Sequence, residues 1–454
     1  MKMLMGFLSR LDRISTRTWF WIVVAVAALQ RILFRVVYPV VPLNDTGSYR
    51  RSAEAILGGW AQYDGTRTPG YPAFMALMGP DERVYTAQLL LGFITTLLFF
   101  YIGWKLTGRG WFGALAALLH TFNVQQILFE ADLMTETLAT FWLALTFAGM
   151  TYLLDVQPDG ERRKTWQLIV ASALTGLAAG LALITRPLYI FLPFWMAFFL
   201  LVGWRNRRWS LRWAVAIIAL LPGLIIAGWW VNFIHEHFNM WSLSAMTGYH
   251  LIQHTGVFFE YVPDKYAALR DTYLKYRDAR IAQYGTQTNA IWDAIPEMQQ
   301  VTGESFYGLS RLVQKISMQL ILEHPLLYAR NVVEGWYWFW KVPVYWSAEA
   351  IQSPILLRLA RGIILVERGL LFVVNMVFIV GSVIVAFIKK ARRLVIIPPS
   401  IWFSLGAVWI SSVLQSILDH GDNPRFLIPM QSLVVLVVVW WLVSYVYSRS
   451  GNEA

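Results

Sequence analysis

Long apolar runs alternate with short charged stretches along most of the chain. A helix needs roughly 20 mostly apolar residues to cross a bilayer, and in lipid it satisfies its own backbone hydrogen bonds. The runs predict about ten spanning helices, at roughly 18–40, 84–104, 111–128, 134–154, 166–184, 187–203, 213–233, 363–388, 395–417 and 426–447. Two polar stretches interrupt this pattern, Val41 to Arg83 and His235 to Gly362. The second is too long for a simple connector. Its middle, Asp264 to Arg280, is charged, as in helices outside a bilayer. Its end, Tyr328 to Trp346, is aromatic with Glu334 and Lys341 inside it. That end reads as an amphipathic helix in the membrane interface or as a helical hairpin. The expected fold class is an all-α polytopic membrane protein with a large, mostly helical extracytoplasmic segment. It divides into an N-terminal transmembrane module over 1–233, the extracytoplasmic and interfacial segment over 234–362, and C-terminal transmembrane helices over 363–454.

Charge fixes the orientation. One set of loops carries Arg10, Arg13 and Arg17; Lys105 and Arg109; Arg162, Arg163 and Lys164; Arg205, Arg207, Arg208 and Arg212; Lys389, Lys390, Arg392 and Arg393; and Arg449. The other set is sparser, with Arg50, Arg51, Arg67 and Arg83, then Arg186, then Arg425. Basic loops stay in the cytoplasm, so both termini are expected there, in the inner or plasma membrane, with the two long polar stretches outside. Composition agrees: 14% of residues are charged, against about 25% in soluble domains. The net charge of +11 would suggest nucleic acid in a soluble protein. Here the basic residues flank apolar runs and face membrane lipids, so no nucleic-acid partner is expected. The absence of cysteine excludes disulfides, thiolate metal sites and cysteine nucleophiles. The first apolar run is long enough to span and is not followed by a small-residue cleavage site, so it does not read as a cleaved signal peptide.

The candidate chemistry gathers on the non-cytoplasmic face. Asp45 and Tyr49 lie just after the first helix, followed by Arg67-Thr68-Pro69-Gly70-Tyr71-Pro72. The next outer loop carries Glu130 and Asp132, with Glu136 opening the following helix. Then come Thr185-Arg186-Pro187 and, late in the chain, Asp419-His420-Gly421-Asp422-Asn423-Pro424-Arg425-Phe426. Taken singly, Asp45 reads as a turn or helix cap and Arg186 and Arg425 as snorkelling anchors. Glu130 and Asp132 read as solvated loop residues. Glu136 differs, because a carboxylate inside an apolar helix is expensive. Arg31 and Arg35 share one face of the first helix, either snorkelling outward or meeting a buried phosphate. His250 and His254 share a helix face but lack a nearby third metal ligand. The chain has no P-loop, GxGxxG or GxSxG motif, and its glycines at Gly176 and Gly180 read as small-residue helix contacts.

In this order the motifs resemble the GT-C superfamily of membrane glycosyltransferases, in particular the bacterial branch related to dolichyl-phosphate-mannose protein mannosyltransferases. Asp45 with Tyr49, Ala53 and Gly58-Gly59 is similar to that family's first outer loop. Arg67 to Pro72 resembles its R-x-P-G-Y-P segment, Met134-Thr135-Glu136 its second outer loop, and Asn423 to Pro429 its RY-x-x-P helix entry. Phe426 replaces the usual tyrosine, and no DxD pair accompanies Asp45. The resemblance covers residues 1–233 and 418–430; the long polar segment matches no known pattern.

The resemblance implies transfer of a sugar from a polyprenyl-phosphate carrier to an extracytoplasmic acceptor hydroxyl, with inversion. The acceptor is a glycan, a lipid or a protein. Asp45 would be the catalytic base. Glu130, Asp132 and Glu136 would orient the acceptor or a divalent cation, and Arg186, Arg425 and Arg67 would hold the donor phosphate. His420, Tyr49 and Arg35 are additional candidates. The competing readings are a transporter or flippase for a lipid-linked glycan, and a ligase that moves a whole glycan. Transporters favour sites at the bilayer midplane and paired repeats, and neither pattern shows in this sequence.

Overall fold

Backbone groups have no partner in lipid, and the chain answers with helices almost throughout. The computed structural model describes residues 2–155, 163–203, 208–394, 397–421 and 423–451. Arg162, Arg205, Arg207 and Asp422 lie outside the described residues.

Among the described residues, eight helices are long and apolar enough to span: Thr16–Val37, Asp81–Thr107, Glu136–Leu154, Thr165–Thr185, Trp209–Phe238, Pro354–Phe387, Pro399–Leu418 and Asn423–Ser448. A ninth apolar run is broken into Gly110–Thr121 and Val124–Ala131, bent by 55°. The tenth, Pro187–Gly203, is short. All ten expected runs are therefore helical, but two are not simple rods. The break has a physical cause at Phe122 and Asn123 between the pieces: extended Asn123 caps the second piece by accepting from the Gln126 amide at 3.0 Å. Glu367 then accepts from the Val124 and Gln125 amides at 2.8 and 3.2 Å. A carboxylate from another helix thus satisfies the orphan amides of a buried helix start.

The helix Pro354–Phe387 begins earlier than expected and has 34 residues, about 51 Å at 1.5 Å per residue, so it projects well beyond a hydrocarbon core of about 30 Å. The aromatic stretch before it forms Pro325–Phe339, 15 residues long, about 22 Å and too short to cross. It buries Asn331, Gly335 and Phe339 and exposes Leu326, Val333, Tyr337 and Trp338. That two-faced pattern is that of an amphipathic helix.

Small residues let the spans approach closely. A Cβ on Gly176 would collide with the Ala219 carbonyl, and one on Gly180 would lie 3.2 Å from Gly223 Cα. The polar segment builds a helical cluster with its own core, including Tyr249, Phe259, Tyr273, Ile291, Met298 and Leu309. Arg311 ties it to the spans, donating to the Phe238 carbonyl at 2.8 Å.

Arg31 neither snorkels nor waits for a phosphate. Its Nε and Nη2 donate to Glu130 at 2.8 and 2.6 Å, and the side chains are only 6% and 3% exposed. Gly92 makes room: a Cβ there would run into the Glu130 carboxylate. Arg35 pairs instead with exposed Glu82.

Candidate functional site

Two short connections are stitched together to present Asp45. The Val41 amide donates to the Ala131 carbonyl at 3.0 Å and the Leu133 amide to the Val41 carbonyl at 3.1 Å. Thr46 Oγ1 receives the Leu43 amide at 2.8 Å and donates to the Leu133 carbonyl at 3.1 Å. Asp45 stands at the N-cap position of Thr46–Leu57, yet its side chain makes no capping bond. Its carboxylate is directed elsewhere. Oδ1 accepts from Arg67 Nη2 at 2.8 Å, and Oδ2 from both terminal nitrogens of Arg425 at 3.2 Å.

The network continues inward. Arg425 Nε lies 3.0 Å from Glu136 Oε1. Arg186 Nη2 donates to the same oxygen at 2.7 Å, and its Nε to Thr135 Oγ1 at 2.9 Å. Arg67 Nε donates to Ser48 Oγ at 2.9 Å, and its guanidinium lies 5.0 Å from the Tyr49 ring centroid. Phe426 stacks under Arg186 at 4.7 Å. Three guanidinium groups therefore face two carboxylates, Asp45 and Glu136, an excess of one positive charge. Burial alone would raise the Asp45 carboxyl, but Arg67 and Arg425 overcome it and hold the group below its ordinary value.

The arginines open onto a cavity of about 420 Å³. Tyr49, Arg67, Arg186 and Arg425 line one part, with Leu188, Ile190 and Phe426 beside them. The wall opposite in sequence, from Ser242 to Leu251, belongs to the long polar segment. This is a positively charged end within a largely apolar chamber.

Of the expected site residues, Asp45, Glu136, Arg67, Arg186, Arg425 and Tyr49 converge here. Glu130 does not: both its oxygens are held by Arg31, because a buried carboxylate takes the nearest guanidinium. Arg35 is likewise outside, at the Glu82 pair. Asp132 is fully buried, and neither carboxylate oxygen has a hydrogen-bond partner among the described residues. Burial, and behind it the charge of Glu136, push its carboxyl well above the usual range. His420 is buried away from the cavity wall and packs edge-on against His254, ring centroids 5.5 Å apart.

Sequence reasoning missed Thr135 and Ser48 as guanidinium partners, and it missed a second pair on the cavity wall. His250 Nδ1 lies 3.1 Å from Asp419 Oδ2, and both residues line the cavity. The Gly421 amide donates to Asp419 Oδ1 at 2.8 Å. Reading His250 with His254 as a metal pair was misleading, since His254 instead takes Asn331 as its neighbour. Nothing in the local sequence signals a partner 169 residues away.

The donor set does not fit a divalent cation. Among the described residues no three His, Cys, Asp or Glu groups converge to hold one, and the carboxylates of Asp45 and Glu136 are already spent on arginines.

No family model matches the chain, and no curated protein does. A solved structure does match: the archaeal oligosaccharyltransferase AglB from Archaeoglobus fulgidus, in complex with an inhibitory peptide and a dolichol-phosphate. The two chains share one fold. Identity is 14% and the TM-score 0.51, over 96% of this chain. This chain spans about half of AglB, 52% of its length. The likeness is one of fold, an all-α polytopic membrane architecture. ArnT from Cupriavidus metallidurans, bound to undecaprenyl phosphate, also matches, with 15% identity over 92% of this chain and 78% of that one, at a TM-score of 0.34.

Proposed function

We propose that this chain is a glycosyltransferase of the cell membrane that moves a sugar from a polyprenyl-phosphate carrier to a hydroxyl of an extracytoplasmic glycan, lipid or protein. The observation that carries the reading is the trio Arg67, Arg186 and Arg425 on one cavity wall, with more positive charge than its two carboxylates neutralise. Guanidinium groups bind phosphate through paired, charge-assisted hydrogen bonds. The site lies at helix ends, where a lipid carrier would present its phosphate while its prenyl chain stays in the bilayer. The dolichol-phosphate in the AglB structure is a lipid of the same class, and the motif order favours the mannosyltransferase-related branch. A transporter reading is less well supported, because the charged network gathers at the ends of the spans and not at their middles.

In the reaction, the acceptor oxygen attacks the anomeric carbon from the face opposite the phosphate. The bond from carbon to phosphate oxygen breaks, its electron pair stays on the lipid phosphate, and configuration inverts. Asp45 takes the acceptor proton. The arginines stabilise the charge that develops on the phosphate.

The test is to incubate purified protein with a panel of polyprenyl-phosphate sugars and an envelope extract as acceptor source, and to measure released polyprenyl phosphate. Release from none of the panel would remove the reading. Arg186→Ala and Arg425→Ala each weaken donor binding by roughly 1.5–3 kcal/mol, the worth of a charged hydrogen bond; titration of the lipid into nanodiscs reads this directly. Unchanged affinity in both would take the phosphate out of this cavity.

The orientation carries its own expectation, with both termini cytoplasmic and the cavity outside. Thr286 and Lys390 are both exposed. An impermeant maleimide labels Thr286→Cys in intact cells and reaches Lys390→Cys only after permeabilisation. The reverse pattern would turn the protein over in the membrane.

A further inference from the structure

Asp45 and the lipid phosphate need the same guanidinium groups. Arg425 spends both terminal nitrogens on Asp45 Oδ2, and Arg67 spends Nη2 on Oδ1. Arg67 and Arg425 also line the cavity, whereas Asp45 stands behind them. A base in that position is doubly ion-paired, and an ion-paired carboxylate is a weak proton acceptor.

The network has a fixed half and a loose half. Glu136 is 1% exposed and anchors Arg186 at 2.7 Å and Arg425 at 3.0 Å. Asp45 is 27% exposed, and its contacts with Arg425 are long, at 3.2 Å, and shared between two nitrogens. Strong guanidinium–carboxylate bonds fall near 2.7–2.9 Å. Glu136 holds Arg425 and, with Thr135, Arg186. Arg67 keeps a 2.8 Å bond to Asp45, and the contact of Asp45 with Arg425 is the exchangeable side of the guanidinium fork.

We infer that Asp45 is an internal stand-in for the lipid phosphate: donor binding draws Arg67 and Arg425 off Asp45 and thereby releases it as the base. This deepens the glycosyltransferase reading and rests on it. The exchange makes basicity conditional on a loaded donor, which protects the site from proton transfer without one. It also orders the rest of the cycle. The donor is a phosphodiester with one negative charge. Transfer breaks the bond from anomeric carbon to phosphate oxygen and leaves a phosphomonoester of higher charge, while the acceptor proton neutralises Asp45. Once that proton passes to water, the Asp45 carboxylate again competes for the arginines and helps expel the spent lipid.

The inference makes an unusual demand: removing the base must tighten binding of the spent carrier. Undecaprenyl phosphate is titrated into nanodiscs holding the wild type, Asp45→Asn, Asp45→Ser and Asp45→Glu, with thermal stability followed in parallel. Asp45→Asn and Asp45→Ser bind about tenfold more tightly, since the competing carboxylate is gone, and Asp45→Glu restores weaker binding. Asp419→Asn removes the same charge from the same cavity without touching the arginines and changes the affinity much less. Parallel titrations with inorganic phosphate and with phosphatidic acid separate a free anion and a general lipid headgroup from the polyprenyl carrier. Equal or weaker binding by both folded Asp45 variants, with the wild type binding normally, overturns the exchange alone. An equal gain in Asp419→Asn also overturns it, by assigning the effect to net charge. Absence of binding by the wild type and every variant removes the lipid-phosphate reading and the exchange together.

Discussion

Asp45→Asn turns over lipid-linked sugar roughly 10²–10⁴-fold more slowly than the wild type, the usual contribution of a positioned general base. Asparagine keeps the shape of the side chain and removes its charge. The pairs with Arg67 and Arg425 are half-buried, with side chains 14% to 27% exposed, so the charge removed also carries some stability, and the fold is checked alongside. Asp45 makes no capping bond that the change would break. The measurement is single-turnover release of polyprenyl phosphate, with the unfolding temperature recorded on the same sample. A folded variant that keeps near wild-type turnover would clear Asp45 of the role. The base would then be sought at the His250–Asp419 pair on the same cavity wall. Burial raises the Asp132 carboxyl well above its ordinary range, and Glu136 is only 1% exposed beneath its arginines.

Arg31→Leu produces the largest loss of stability, about 3–5 kcal/mol, because it leaves Glu130 charged and unpaired inside the helix bundle. Glu130→Leu costs a similar amount by stranding Arg31. The double variant Arg31→Leu, Glu130→Leu recovers most of the loss, since two apolar side chains need no partner there. Thermal unfolding of the four proteins in one detergent forms the cycle that separates the pair from its parts. Turnover per folded molecule stays near wild type throughout, because neither residue lines the cavity. A single variant as stable as the wild type would show that Arg31 and Glu130 reach water or lipid headgroups.

The spans were legible because lipid enforces one rule, a sustained apolar run, on every one of them. Where the rule bends, the cause lies far away in the chain. The break at Phe122 and Asn123 depends on Glu367, which no local pattern connects to it. At the site, Asp45, Arg67, Arg186 and Arg425 were legible as charged residues at span ends. Their grouping by membrane face left one question open: which charges touch. Glu130 and Glu136 look alike in sequence, six residues apart, yet one meets Arg31 and the other Arg186 and Arg425. Helix rotation and the small-residue contacts decide that, and both are tertiary facts. The wall from Ser242 to Leu251 was hidden for another reason: its residues carry no motif and gain meaning only by facing the arginines.

The bond between Asp45 and Arg425 joins residues 380 positions apart. Synthesis runs from one end, so Asp45, Arg67, Glu136 and Arg186 are all made and inserted long before Arg425 leaves the ribosome. The nascent protein therefore carries most of the charged network while the span Asn423–Ser448 is still missing. Arg425 opens that span and closes the network in the same event. Insertion of that span and closure of the charged centre are one event, and a product cut short before Asn423 is a membrane protein without its full complement of guanidinium groups.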